Sequence, residues 1–197
     1  MDKNKLKVIL MWLCVVLFIA LSIFILTKVT ENAKKDNEEE NIEEVEEKYR
    51  NHISYDNKFS IDAPVQYKEI SEKHSLNAKG VIELNNEEKA AYVLVVPTSK
   101  VNLKKNFKTF RNESFKQKET FYKTKITNYE KLTIDDHDAE YGEIYYTSET
   151  GVNTYIRAYV VETDNYFVQM VLWTVADNES LVQDDFDLIA STFRELK

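Results

Sequence analysis

The chain has 197 residues, 43% of them hydrophobic and 30% charged, with only 3 Gly and 2 Pro. That composition excludes wholesale disorder and linker-rich or collagen-like repeats, and it leaves room for one ordinary folded domain. The net charge of −8, with no basic stripe carrying interleaved aromatics, excludes nucleic acid as a partner, because phosphate binding depends on clustered Lys and Arg.

Residues 1–7 are a short lysine-rich tail, and Val8–Thr27 is a run of 20 residues without a charge. At a rise of ~1.5 Å per residue such a helix is about 30 Å long, the thickness of a hydrocarbon core. It closes its own backbone hydrogen bonds, and it is apolar on every face, unlike a core helix of this length. A transmembrane signal-anchor helix is therefore expected, with Trp12 near one interface. Ala20-Leu21-Ser22 offers small residues at a cleavage-like spacing, but Ile23 to Leu26 continue the apolar run and favour retention. Lys3, Lys5 and Lys7 crowd one end of the span while Lys28 stands alone near the other. The basic bias places the N-terminus in the cytoplasm and the rest of the chain outside. The single cysteine, Cys14, lies inside this run, so residues 15–197 form neither disulfides nor a cysteine metal site.

Residues 28–52 read as an acidic stalk. Between 31 and 50 there are nine acidic and four basic side chains, too polar to offset the entropy of ordering by burial. Self-repulsion suits a spacer that holds a domain off the bilayer. Ile42, Val45 and Tyr49 fall at helical spacing and allow a short helix, and a docking site for a basic partner is the sharper alternative.

From Ile53 to Lys197 the pattern becomes that of a folded α+β domain. Lys58 to Asp62 alternates and stops at Pro64, as a strand should. Gly80–Leu84 and Ala90–Val96 are strand-like and flank a hairpin connection at Asn85 to Glu88. Residues 101–122 shift to helical period through Leu103, Phe107, Phe110, Ser114 or Phe115, and Phe121 or Tyr122, which predicts an amphipathic helix lying on a sheet. Lys125–Ile134, Ala139–Ser148, Val152–Thr163 and Tyr166–Val175 are four further strands. Their turns fall at Asp135 to Asp138, Thr150-Gly151 and Asp164-Asn165, the last suited to a type I′ hairpin. Asp177 is placed to cap a final helix with Val182, Phe186, Ile189, Ala190 and Phe193 on one apolar face. The expectation is an antiparallel sheet covered by two amphipathic helices.

Three stretches carry a family likeness. They are Phe59-Ser60-Ile61-Asp62-Ala63-Pro64, then Ile134 to Glu140, where a turn and Ala139 precede a Tyr-rich hairpin, and Tyr166-Phe167-Val168 through Trp173 with a final helix ending Ile189-Ala190-Ser191-Thr192-Phe193. Over residues 53–197 the chain resembles the PsbP-like superfamily, which includes an extrinsic photosystem II subunit, a Ran-binding import factor and bacterial envelope proteins. The resemblance implies a PsbP-like α/β/α sandwich that works as a non-catalytic binding or assembly domain.

Chemistry is sparsely signalled. There is no G-x-S-x-G, P-loop or H-E-x-x-H, and only His52, His74 and His137 supply imidazoles. One candidate is Asp135, Asp136, His137 and Asp138 with Glu140, an oxygen-rich set of the kind that holds Ca²⁺, or Zn²⁺ through the imidazole. Asp-rich hairpin turns also arise for conformational reasons alone, and no cofactor is expected. The other candidate is the row Tyr155, Arg157 and Tyr159, which share one strand face with Val161. An arginine among aromatics grips an anionic ligand or a partner's carboxylate; alternatively it snorkels from a core face.

The expected function is a cell-membrane-anchored extracytoplasmic binding module for an envelope protein partner, not an enzyme. Two alternatives stand beside it. One is a small-ligand sensor or carrier with a pocket between the sheet and the 101–122 helix. The other is a metal-dependent hydrolase centred on His137.

Overall fold

The computed structural model describes residues 48–71 and 75–197. The expected anchor Val8–Thr27, its orientation and cleavage, the stalk up to residue 47 and His74 lie outside the described residues. Among the described residues no helix is long and apolar enough to cross a membrane.

In chain order the described elements are β1 (Tyr49–Ile53), β2 (Phe59–Pro64), β3 (Lys68–Glu69), β4 (Ile82–Asn86), β5 (Ala91–Ser99), α1 (Phe107–Tyr122), β6 (Thr127–Ile134) and β7 (His137–Thr147). Then come β8 (Asn153–Glu162), β9 (Tyr166–Val175), a 3₁₀ turn (Ala176–Asn178), α2 (Glu179–Ser191) and β10 (Arg194–Glu195). Seven strands form one antiparallel sheet in the order β3-β4-β5-β9-β8-β7-β6, and the small second sheet runs β1-β2-β10. The expected α+β class and the two helices are present.

Strand side chains alternate between faces, and the two faces of the large sheet meet different partners. On the inner face Val93, Val95, Tyr155, Tyr159, Val161, Val168, Met170 and Leu172 are buried. They pack with Phe59, Ile61 and Ala63 of β2 and with Val182, Phe186, Ile189, Ala190 and Phe193 in and after α2. The apolar stripe expected for the final helix is thus the stripe that seals this face. On the outer face Ile144, Ile156, Ala158, Val160 and Phe167 form a smaller cluster with Phe110 and Phe115 of α1. The Phe110 and Phe167 rings stack at 4.9 Å.

Four local expectations need correction. Residues 49–52, assigned to the stalk, belong to β1, which pairs with β2 from Tyr49↔Pro64 to Ile53↔Ser60. Only His52 of its five residues is buried, so this edge strand is held by backbone pairing and shows no apolar alternation. The helix expected from residue 101 starts at Phe107. Asn102 is left-handed (φ 66) and Leu103 N–H closes a turn on the Lys100 carbonyl. The Asn106 side chain then caps α1 by accepting from Thr109 N at 2.9 Å. Asp177 lies in the 3₁₀ turn, and Asn178 occupies the N-cap of α2 with no side-chain capping bond.

The fourth correction concerns the tight hairpins. Neither Asp164 nor Asn165 has a positive φ; the two left-handed turn residues are Asp135 (φ 50) and Asp136 (φ 63), between the paired Ile134 and His137. That is the signature of a type I′ two-residue loop, so the first two carboxylates of the candidate metal set are explained by the turn. An L-residue in this region is strained and glycine relieves it. Asp136→Gly is expected to raise stability by about 0.5–1 kcal/mol, read by urea unfolding. A loss of stability would mean that the carboxylate contributes more than the turn geometry does.

Candidate functional site

The inner-face candidate is assembled by register. β8 lies between β7 and β9, and Tyr155, Arg157 and Tyr159 pair with Tyr145, Glu143 and Tyr141 on one side and Thr174, Leu172 and Met170 on the other. Arg157 does not snorkel to an edge. It is buried, its Nη1 donates to Asp187 of α2, and its Nε donates to the Tyr155 hydroxyl at 2.6 Å. Glu143 Oε1 lies 3.5 Å from Nε and accepts from Tyr155 at 2.6 Å. The guanidinium also lies 5.5 Å from the Tyr141 ring centre, a cation–π distance. Burial, then the Glu143 partner, pushes the Tyr155 hydroxyl far above the ordinary tyrosine range, and burial with Glu179 pushes Tyr145 up to about 12. One guanidinium thus sits between two carboxylates with neutral tyrosines around it. Through Asp187, whose side chain is largely exposed, it ties α2 to the sheet.

The 135–140 set is dispersed. Strand alternation sends His137 to the inner side and Asp138 with Glu140 to the outer. His137 Nε2 is 3.7 Å from Asp164 of the β8–β9 turn. Glu140 is buried against Arg111 of α1, whose Nη1 donates to it. Among the described residues no three His, Cys, Asp or Glu side chains come together in metal-holding geometry.

A different site lies on the outer face. α1 covers the β8 side of that face but leaves half-buried side chains on β5 and β9, and between helix and sheet runs a groove of ≈ 450 Å³. Leu94 and Val96 of β5, Val171 of β9, and Phe121 and Tyr122 of α1 give it apolar surface, and Asn77, Lys79, Thr98 and Gln117 line it with polar groups. Lys118 lines it as well, and its Nζ donates to Gln169 Oε1 on β9. No carboxylate among the described residues is within ion-pair distance of it. As a residue Lys118 is half-buried, yet burial of its ammonium pushes the pKa down to about 8. A pocket between this helix and the sheet was expected for a ligand-binding domain; Lys118 and Gln169 were not. Their signal in the sequence is a lysine on the stripe Phe110, Ser114, Lys118, Tyr122 and a lone glutamine on the apolar face Phe167, Val171, Trp173.

The architecture defines the class: this is a PsbP-like fold. Among solved structures, the chain is similar to cyanobacterial PsbP (CyanoP) from Synechocystis sp., with a TM-score of 0.55 and 13% identity over 76% of this chain and 93% of that one. It is also similar to a Bacteroides thetaiotaomicron protein, with a TM-score of 0.53 and 12% identity over 76% of this chain and 49% of that one. LpqN of Mycobacterium tuberculosis superposes less closely, with a TM-score of 0.48 and 9% identity over 76% of this chain and 91% of that one. No protein-family model and no curated protein matches the sequence.

Two outcomes follow from the two buried cations. Arg157→Ala leaves Glu143 buried without its cation and is expected to cost about 3 kcal/mol or more in urea unfolding. Adding Glu143→Gln recovers part of that loss, and an unchanged single variant would mean that the cluster does not hold α2. Lys118 behaves oppositely. An unfolded lysine keeps its proton to roughly pH 10.4, whereas folded Lys118 releases it near 8. Between these values the unfolded state binds more protons, so stability rises with pH. A gain of order 1–2 kcal/mol is expected between roughly pH 7.5 and 9.5, discounted for the surface Lys118 retains. Lys118→Met should show no such rise.

Proposed function

We propose that this chain is a membrane-tethered, extracytoplasmic, non-catalytic binding module, with the groove between α1 and the outer sheet face as its binding element. The uncharged run Val8–Thr27 supports the tether, and the lysines ahead of it support a cytoplasmic N-terminus. The PsbP-like fold supports a domain that binds without catalysing. The single observation that carries the choice of element is the contrast between faces. The inner face is packed against α2 and β2, while the outer face keeps a concave groove of mixed apolar and polar lining that includes Lys118 and Lys79. Pockets of that size and character hold small ligands, so the sensor or carrier reading comes first. The envelope-protein reading stands second on one observation: Phe121, 76% exposed at the groove mouth, is the kind of large aromatic that protein interfaces use. The hydrolase reading is not advanced, since His137 and its neighbouring carboxylates diverge.

The test purifies the full chain in lipid nanodiscs beside a groove-filled variant, Val96→Trp, and exposes both to a small-molecule extract of the host envelope. A compound that raises the melting temperature of the wild type and not of the variant supports the reading by mass action. A stoichiometric protein partner retained equally by both, with no stabilising compound, overturns the groove as the binding element. Protease added to intact cells should digest the domain, and protection would overturn the orientation.

A further inference from the structure

The groove poses a question of charge that the binding reading leaves open. An ammonium in an apolar wall is costly unless paired, and among the described residues Lys118 is partnered by a neutral amide alone. The ammonium has donors alone, so the amide must turn its oxygen toward it. That fixes the orientation of Gln169, which lines the groove, and leaves its Nε2 donors without an acceptor among the described residues. An ammonium and an amide therefore stand side by side on the groove wall, both offering hydrogens. Leu94, Val96, Val171 and Tyr122 line the same groove together with the neutral Thr98 and Gln117; its described lining holds no carboxylate, and the exposed Lys79 adds positive potential.

We propose that the groove binds an apolar monocarboxylate, its carboxylate held by Lys118 Nζ and Gln169 Nε2 and its hydrocarbon body lying along Leu94, Val96 and Val171 under the Tyr122 ring. The inference rests on the groove being the binding element and adds the chemistry of what it takes. Charge complementarity selects an anion, because the described lining of the groove holds Lys118 and Lys79 and no carboxylate. The small number of donors selects a singly charged carboxylate over a phosphate, which draws on arginine forks and backbone nests. The ≈ 450 Å³ of the groove accommodates a medium-length chain or a single ring system. Binding supplies the missing charge and favours the protonated lysine further. The carboxylate also gains a charge-assisted bond in a setting with less water to compete.

Octanoate and octanol serve as probes, titrated into the full chain in nanodiscs and read by shifts of the groove side-chain resonances, with empty nanodiscs as the partition control. The panel is wild type, Lys118→Met, Gln169→Leu and Val96→Trp. Octanoate should bind wild type about tenfold or more tighter than octanol, the worth of one charge-assisted bond. Lys118→Met should erase that preference while still binding octanol, Gln169→Leu should reduce it, and Val96→Trp should bind neither. Lys118→Met removes a costly buried charge, so loss of folding is not the expected cause of lost binding. Equal affinity for both probes, unaltered in Lys118→Met, would overturn the carboxylate subsite and leave the groove as a purely apolar site. Binding of neither probe, with an envelope compound or a partner chain's C-terminal segment still lost in Val96→Trp, would overturn the monocarboxylate and leave the groove reading intact. Binding of neither, with every envelope ligand retained in Val96→Trp, would overturn both.

Discussion

A seven-stranded antiparallel sheet has two faces to remove from water, and period-2 alternation forces the chain to provide for both at once. The rest of this structure follows from how unequally it does so. The inner face receives α2, β2 and the residues on either side of them, and its central side chains on β5, β8 and β9 are buried. The outer face receives one sixteen-residue helix, which lies toward β8 and leaves β5 and β9 half covered. Every polar group of interest can be placed by asking which face it is on. A charge on the inner face must find its partner inside the protein. A charge on the outer face, beside the uncovered strands, has room for a partner from elsewhere.

Arg157 and Lys118 are the two cases. Both are cations within an apolar surround, and both lie where a short side chain would pack. Arg157 is answered by Glu143, by Asp187 and by a ring of tyrosines, so its planar fork acts as an internal rivet between β8 and α2. Lys118 is answered by one amide oxygen. Breaking the first arrangement strands a carboxylate, and neutralising the second removes a burden. That the conspicuous arginine is structural while the inconspicuous lysine is exposed to a cavity is a consequence of coverage and not of residue type.

Sequence reasoning was strong where a pattern is local and periodic. The four long strands, the apolar stripe of the last helix and the shared face of Tyr155, Arg157 and Tyr159 with Val168, Met170 and Leu172 all follow from spacing, and the structure has them. It was weak where conformation depends on partners distant in the chain. β1 has no apolar alternation because it is an edge strand, so its pairing with β2 leaves no trace in composition. The Asp135-Asp136 loop and the Asp164-Asn165 loop look alike as residue pairs, but only the first is left-handed; Thr163 and Glu195 brace the second through side-chain bonds. The candidate site was half legible. A pocket under the α1 segment follows from an amphipathic helix on a sheet, but the meeting of Lys118 and Gln169 joins positions 51 residues apart and needs the fold.

The small sheet carries one more consequence, in the order of events during folding. β2 sits between β1, which is close in sequence, and β10, which is at the far end of the described chain. Its Asp62 N–H donates to Thr192 Oγ1 across 130 residues, and Leu196 N–H closes on the Lys58 carbonyl at 2.7 Å. The inner-face side chains Phe59 and Ile61 of β2 therefore reach their native packing only after α2 and β10 have been made. A chain delivered N-terminus first passes through a stage in which Phe59 and Ile61 are made but have no core to enter. Such long-range closure slows folding and exposes strand edges to wrong pairing. Just ahead of these strands stands the acidic stretch between residues 31 and 47, and its like charges would hold neighbouring nascent chains apart during that interval.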